Sequence, residues 1–186
     1  MTRLAVRPGL RALGAGDRGR IAEISRAVGI FRDGEVDVAL EVFDSSCRPD
    51  QIDYFTLGAE VDGRLVGWIC WGPTPCTVGT WDLYWMAVDP TMQGGGIGTA
   101  LIDAMEHRLA GRGRLVMVET SGRSDYAATR GFYLSRGYQV AAVIPDFYAQ
   151  GDDQVILSKR IATSRASTGA FLQPAFEVVP TAKRSP

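Results

Sequence analysis

The sequence predicts an α/β (α+β) chain folded as one domain, and three observations carry that reading. Apolar runs of strand length alternate with segments whose apolar residues recur every three or four positions. Gly, Pro and Asp pairs punctuate the boundaries between them. At 186 residues and 46% hydrophobic content, the chain is long enough to bury a sizeable core.

Taken in order, residues 4–7 read as a short strand ended by Pro8-Gly9. Asp17 is placed to cap a helix in which Ile21, Ile24 and Val28 share a face, and a second helix from Asp33 buries Val36, Leu40 and Phe43. Residues 54–61 and 65–71 are strands joined by Asp62-Gly63, a tight-hairpin pair. A third strand, 82–88, is apolar almost throughout and stops at Asp89-Pro90. Ile97, Leu101, Met105 and Leu109 then repeat every four residues and mark a helix, which Gly111 and Gly113 end. Residues 115–120 read as a buried strand, 125–136 as a helix stopped by Gly137, and 138–144 with 154–159 as a closing strand pair. Beyond Ile161 the composition turns to Ala, Ser and Thr with Pro174, Pro180 and Pro186 and no period. The expected organisation is therefore a domain over residues 1–161 and a flexible or docking tail over 162–186.

Composition excludes several classes. A net charge of −1 supplies no field to attract nucleic acid. No stretch reaches the 18 or more apolar residues of a membrane span, and residues 1–8 lack the apolar core of a signal peptide, so a cytoplasmic protein is expected. Three irregularly spaced cysteines (Cys47, Cys70, Cys76) and one histidine (His107) make neither a disulfide framework nor a zinc set, and no metal is expected. Cys70 reads as core and Cys76 as an exposed loop thiol.

The chemistry concentrates in Gln93-Gly94-Gly95-Gly96-Ile97-Gly98, between the 82–88 strand and the following helix. The first N–H groups of a helix have no internal partner, the peptide dipoles place roughly half a positive charge there, and glycine lets a ligand approach the backbone. That combination favours phosphate. A P-loop would need a lysine after the glycines, and none occurs before Lys159; a dinucleotide fingerprint would need Gly or Ala at Thr99 or Leu101. Both fail. The spacing Gln/Arg-x-x-Gly-x-Gly/Ala is met by Gln93, Gly96 and Gly98, and here the chain resembles the GCN5-related N-acetyltransferase (GNAT) family, whose loop of this form binds the pyrophosphate of acetyl-CoA. A second segment, Gly131-Phe132-Tyr133-Leu134-Ser135-Arg136-Gly137-Tyr138, resembles that family's Phe-Tyr-x-x-x-Gly-Phe/Tyr signature. The likeness extends from about Tyr54 to Ile161.

The resemblance implies a fold and a reaction. The fold is a central mixed, mostly antiparallel twisted sheet of about six to seven strands, with helices on both faces and a splay between the fourth and fifth strands. The reaction is acetyl transfer from acetyl-CoA, as co-substrate, to a primary amine of a small metabolite or amino acid by direct attack. Met86, Ala87 and Val88 would pair through their backbone with pantetheine, and Gln93, Gly94, Gly95, Gly96, Ile97, Gly98 and Thr99 would receive the pyrophosphate. Tyr133 matches the family's general acid. Two carboxylates compete for the base: Asp82, where some members carry a glutamate, and Glu119, whose place in an apolar run would raise its pKa unless it is paired. Gly95 stands where many members have Arg or Lys, and Tyr126 where many have Asn. On the acceptor side the likeness offers Phe31, Arg32, Glu35, Tyr84, Phe147 and Tyr148, with Arg32 set to pair with a substrate carboxylate. Strand alternation sends Tyr84 and Trp85 to opposite faces of the sheet.

Alternatives are a non-catalytic acyl-CoA-binding module of the same fold and an acetyltransferase for peptide or protein N-termini. A homodimer through the last strands or the tail is a further expectation from family likeness.

Overall fold

The computed structural model describes residues 7–161. They form β1 (Gly9–Arg11), α1 (Arg18–Ala27), α2 (Asp33–Ser46), β2 (Phe55–Val61), β3 (Arg64–Pro73), β4 (Thr80–Val88), α3 (Ile97–Leu109), β5 (Leu115–Ser121), α4 (Ala127–Ser135), β6 (Gln139–Ala149) and β7 (Asp152–Arg160). One seven-stranded sheet runs β1-β2-β3-β4-β5-β7-β6. Every neighbouring pair is antiparallel except β4–β5, which is parallel. Order, strand number and mixed character are those the sequence and its family likeness predict.

Several boundaries differ, each for a local reason. Residues 4–6 of the first expected strand lie outside the described residues, as does the tail, 162–186. The strand that does form starts after Pro8, because proline has no N–H to give a sheet and Gly9 is the first residue to pair, opposite Glu60. Asp17 closes a short 3-10 turn rather than capping α1: its carboxylate accepts the Gly14 N–H (3.0 Å) and ion-pairs with Arg11 (2.8 Å). The last helix starts at Ala127, after a 3-10 turn at Ser124–Tyr126. β6 runs on through Pro145 to Ala149, which its edge position allows.

Each face of the sheet has its own core. On one face α3 buries Ile97, Leu101, Ile102, Met105 and Leu109 against Trp71, Trp81, Leu83, Val116 and Val118, joined by Tyr133 and Tyr138. On the other, Ile21 and Ile24 of α1 and Val36, Leu40 and Phe43 of α2 pack on Leu65, Trp68 and Cys70. Burying one such aliphatic side chain contributes about 1.5–3 kcal/mol, so the two layers fix the helices across both faces of the sheet.

The feature that positions the site is the divergence of β4 from β5. They pair only from Thr80↔Leu115 to Leu83↔Val118; thereafter β4 follows β3 to Val88↔Gly67 while β5 follows β7 to Ser121↔Gln154. A bulge marks the parting point, because Trp71 pairs with Leu83 and Cys70 with Trp85, leaving Tyr84 unopposed. The extra residue changes the phase of β4. Trp81 and Leu83 join the α3–α4 core, whereas Trp85 and Ala87 join the α1–α2 core. Strict alternation would separate Tyr84 and Trp85, yet both rings meet the α1–α2 side: Tyr84 lies edge-on to Tyr54 at 5.4 Å and Trp85 edge-on to Phe31 at 5.5 Å.

Candidate active site

A cleft of about 730 Å³ enters the sheet where β4 and β5 part. One end is the glycine loop. At the close of β4, Asp89 accepts the Thr91 N–H (2.9 Å) and hydroxyl (2.6 Å) and pairs with Arg20, which turns the chain toward α3. Gly94 (φ +76°) and Gly96 (φ +89°) occupy the left-handed region, where a side chain costs strain. Gly96 is the N-cap of α3, and Ala100 N–H is the first to find an intrahelical acceptor, Gly96 O at 2.9 Å. The N–H groups of Ile97, Gly98 and Thr99 are thus left to the cleft that these residues line, with the helix dipole behind them. Gln93, Gly94, Gly96, Ile97, Gly98 and Thr99 all stand in the wall; Gly95 does not, its N–H turned to Met92 O at 3.4 Å. Just past the end of α4, Arg136 donates to Thr99 Oγ1 (3.2 Å) and ion-pairs with Asp103.

Met86, Ala87 and Val88 line the middle of the cleft, beyond the last β4–β5 pair, so their edge on that side has no strand partner. Tyr133 faces the same stretch from α4. Its ring is held edge-on by Phe132 (5.3 Å) and Tyr138 (5.5 Å), and burial pushes its phenol well above the ordinary tyrosine range. It therefore stays protonated at any working pH. Phe132 and Tyr126 also line the wall; Tyr126 donates to Ile30 O (3.4 Å), and burial raises it to about 12.

Across the sheet lie the carboxylates. Glu119 points into the cleft and accepts a hydrogen bond from Gln154 Nε2 (2.7 Å). Desolvation, then the charge of Asp82, raise its pKa above the ordinary glutamate value, with the Gln154 amide acting in the opposite direction. Asp82 itself accepts from Thr74 Oγ1 (2.8 Å) and stands outside the wall. Phe31, Glu35, Tyr84, Trp85 and Tyr148 line the same cleft. Tyr84 is raised to about 12, first by burial and then by Asp82.

Two residues of the expected acceptor set lie elsewhere. Arg32 is outside the wall, tied to the buried Asp152 at 3.0 Å, and Phe147 is exposed beside Tyr148. The cation that does line the cleft is Arg123, which sequence reasoning missed. It donates to Ile30 O (3.2 Å), pairs with Asp125 (3.1 Å), lies over the Tyr126 ring (5.1 Å) and stands 3.7 Å from Asp152. Asp152 also accepts the Ser121 hydroxyl, so one carboxylate links the α1–α2 connection, the end of β5 and the start of β7. No local sequence signal marks this network, because Ser121 and Arg32 stand 31 and 120 residues from the Asp152 that joins them. Among the described residues, no group of three or more His, Cys, Asp and Glu side chains is arranged to hold a metal ion. Among the same residues, no helix is long and apolar enough to cross a membrane.

Residues 53–140 match the family model described as Acetyltransferase (GNAT) domain. The crystal structure of a GNAT-family protein from Desulfovibrio desulfuricans is 37% identical and superposes with a TM-score of 0.79, over 84% of this chain and 100% of that one. The chain belongs to the GNAT family. Two curated relatives agree: an uncharacterized N-acetyltransferase from Methanocaldococcus jannaschii, 29% identical over 106 residues (55% of this GNAT chain, 64% of the relative), and an L-2,4-diaminobutyric acid acetyltransferase from Nocardia farcinica, 35% identical over 108 residues (52% and 55%). This GNAT chain thus spans between a half and two thirds of the length of the curated relatives it matches.

Proposed function

We propose that this GNAT chain is an acetyl-CoA-dependent N-acetyltransferase that moves the acetyl group directly to a primary amine of a small cationic metabolite of the diamino-acid type. The observation that carries the reading is a single cleft that passes through the sheet. Free helix N–H groups and the protonated Tyr133 lie toward its α3–α4 side, and Glu119 lies among aromatic and acidic side chains on the other.

The residues present suit coenzyme A. The N–H groups at 97–99 offer charge-assisted hydrogen bonds to a pyrophosphate, each contributing about 1.5–3 kcal/mol. A Cβ built at Gly94 or Gly96 meets nothing within 4 Å, so the space above the loop is open to a ligand. The unpaired edge at 86–88 can receive the amides of the pantetheine arm as a strand would. Acetyl-CoA supplies an activated acyl carbon: the amine nitrogen bonds to it, the C–S bond breaks, and the sulfur leaves as a thiol. Before attack Glu119 takes one proton from the substrate ammonium, directly or through one water, which frees the nitrogen lone pair, and its raised pKa brings it nearer the working pH. Tyr133 donates its phenolic proton to the departing sulfur and is reprotonated by the second proton, which the nitrogen releases as the amide forms. Holding the two reactants in line is worth up to about 7–11 kcal/mol of the barrier, and the two walls of the splay serve that alignment.

On the acceptor side, Glu35 and Glu119 among Phe31, Tyr84, Trp85 and Tyr148 suit an ammonium group. Arg123, which lines the cleft, suits a carboxylate in place of Arg32, which stands outside the wall. The name of the N. farcinica relative points to the same substrate class. Calorimetry with CoA and acetyl-CoA, followed by thiol release with a panel of diamines, diamino acids, amino acids and short peptides, tests both levels. Binding with turnover on diamino acids supports the reading. Absence of CoA binding by folded protein removes it altogether, and turnover on peptides alone removes the small-amine part.

A further inference from the structure

The hydroxyl of Thr120, in the cleft wall, is buried and has nothing in the protein to bond. The residue as a whole is 5% exposed. Two other hydroxyls of the wall are engaged, Ser121 with Asp152 and Tyr126 with Ile30 O. The position of Thr120 along β5 explains where it points. Val116 and Val118 project into the α3–α4 core that holds Tyr133, and Thr120 is the next residue on that face, whereas Glu119 projects to the other. The last β4–β5 pair is Leu83↔Val118, so Thr120 lies where the strands have already parted.

A buried hydroxyl without a partner keeps its desolvation cost, and valine would fill the same space without it, as it does at 116 and 118. We propose that the Thr120 hydroxyl donates a hydrogen bond to the thioester end of the pantetheine arm as it passes between β4 and β5, fixing that end beside Tyr133. This inference rests on the acetyl-CoA reading above and names a binding residue it does not include.

The test uses Thr120→Val and Thr120→Ser in the full chain. Their thermal unfolding is measured without ligand, and calorimetry is run with acetyl-CoA and with adenosine 3′,5′-bisphosphate, the nucleotide end alone. Thr120→Val is expected to melt at the wild-type temperature or up to about 3 °C above it. It should bind acetyl-CoA roughly three- to tenfold more weakly, leave bisphosphate affinity unchanged, and regain wild-type binding when the residue is serine. Unchanged acetyl-CoA affinity in Thr120→Val overturns the inference while leaving the acetyl-CoA reading intact. So does an equal loss for both ligands, which would mark a structural role. If the folded wild type binds no acetyl-CoA, both fall together.

Discussion

The two sides of the cleft are built in different ways. The side that faces α3 and α4 uses mainly backbone from one continuous stretch, 86–99, with a single buried phenol added from α4. The side that faces α1 and α2 uses side chains drawn from the α1–α2 connection, the β4 bulge, the end of β5 and the β6–β7 hairpin. A backbone cradle is indifferent to most substitutions except those that alter φ, and it suits a co-substrate shared by a whole family. A wall of side chains from distant segments changes with each substitution, and it suits the acceptor on which family members differ. The same contrast appears in the ionisable groups. Tyr133 is shifted by burial alone, but Glu119 is shifted by burial, by the Asp82 charge and by Gln154 together.

Tyr133→Phe tests the first side with the largest expected effect. The ring contacts with Phe132 and Tyr138 survive in phenylalanine, so the melting temperature and CoA affinity should stay close to wild type. Loss of the proton donor should lower kcat by about 10²–10³-fold. Steady-state kinetics beside calorimetry reads both, and an undiminished kcat would mean that the sulfur finds its proton elsewhere.

Glu119→Gln tests the second side, with kcat expected to fall roughly 10- to 100-fold as the base is removed. The variant carries a second signature of opposite sign. The folded-state pKa of Glu119 lies above its unfolded value, so between those two values the native state holds more protons than the unfolded chain. Stability therefore falls as pH rises through that window, and it stays lowered above it. Glutamine removes this penalty. The variant should melt at or above the wild-type temperature at neutral pH, with the advantage gone below the ordinary carboxylate range. A variant that is less stable at neutral pH would show that the charged carboxylate helps hold the fold.

Within the glycine loop, a pair of substitutions sharpens the claim that φ alone matters there. Gly96→Val forces a β-branched residue to φ +89° and should weaken CoA binding by about tenfold or more. Gly95→Ala, outside both the left-handed set and the wall, should change it by less than about twofold.

The backbone-built side was the legible one. Periodicity located α3, glycine spacing located the loop, and both lie within one short stretch of sequence, so local rules sufficed. The bulge at Tyr84 was not legible, because an unopposed residue is a property of the β3–β4 register, and it reversed the expectation for the Tyr84 and Trp85 rings. Nor was the fate of Arg32. Its pairing with Asp152 spans 120 residues, and only the folded sheet shows that the buried carboxylate claims it and leaves Arg123 in the wall. Thr120 and Val118 occupy the same face of β5, and nothing local distinguishes a core hydroxyl from a cleft hydroxyl until β4 is seen to leave.

The smallest effect concerns the two carboxylates that sequence alone could not rank. Asp82 lies off the wall, bonded to Thr74, and acts on Glu119 through its charge, which favours the protonated form of its neighbour. Asp82→Asn removes that charge and should lower the pKa of Glu119. The acid limb of kcat/KM against pH should then move to lower pH, with the plateau value almost unchanged. A plateau that collapses by 100-fold would instead make Asp82 the base, because a group acting only at a distance moves the limb and leaves the height.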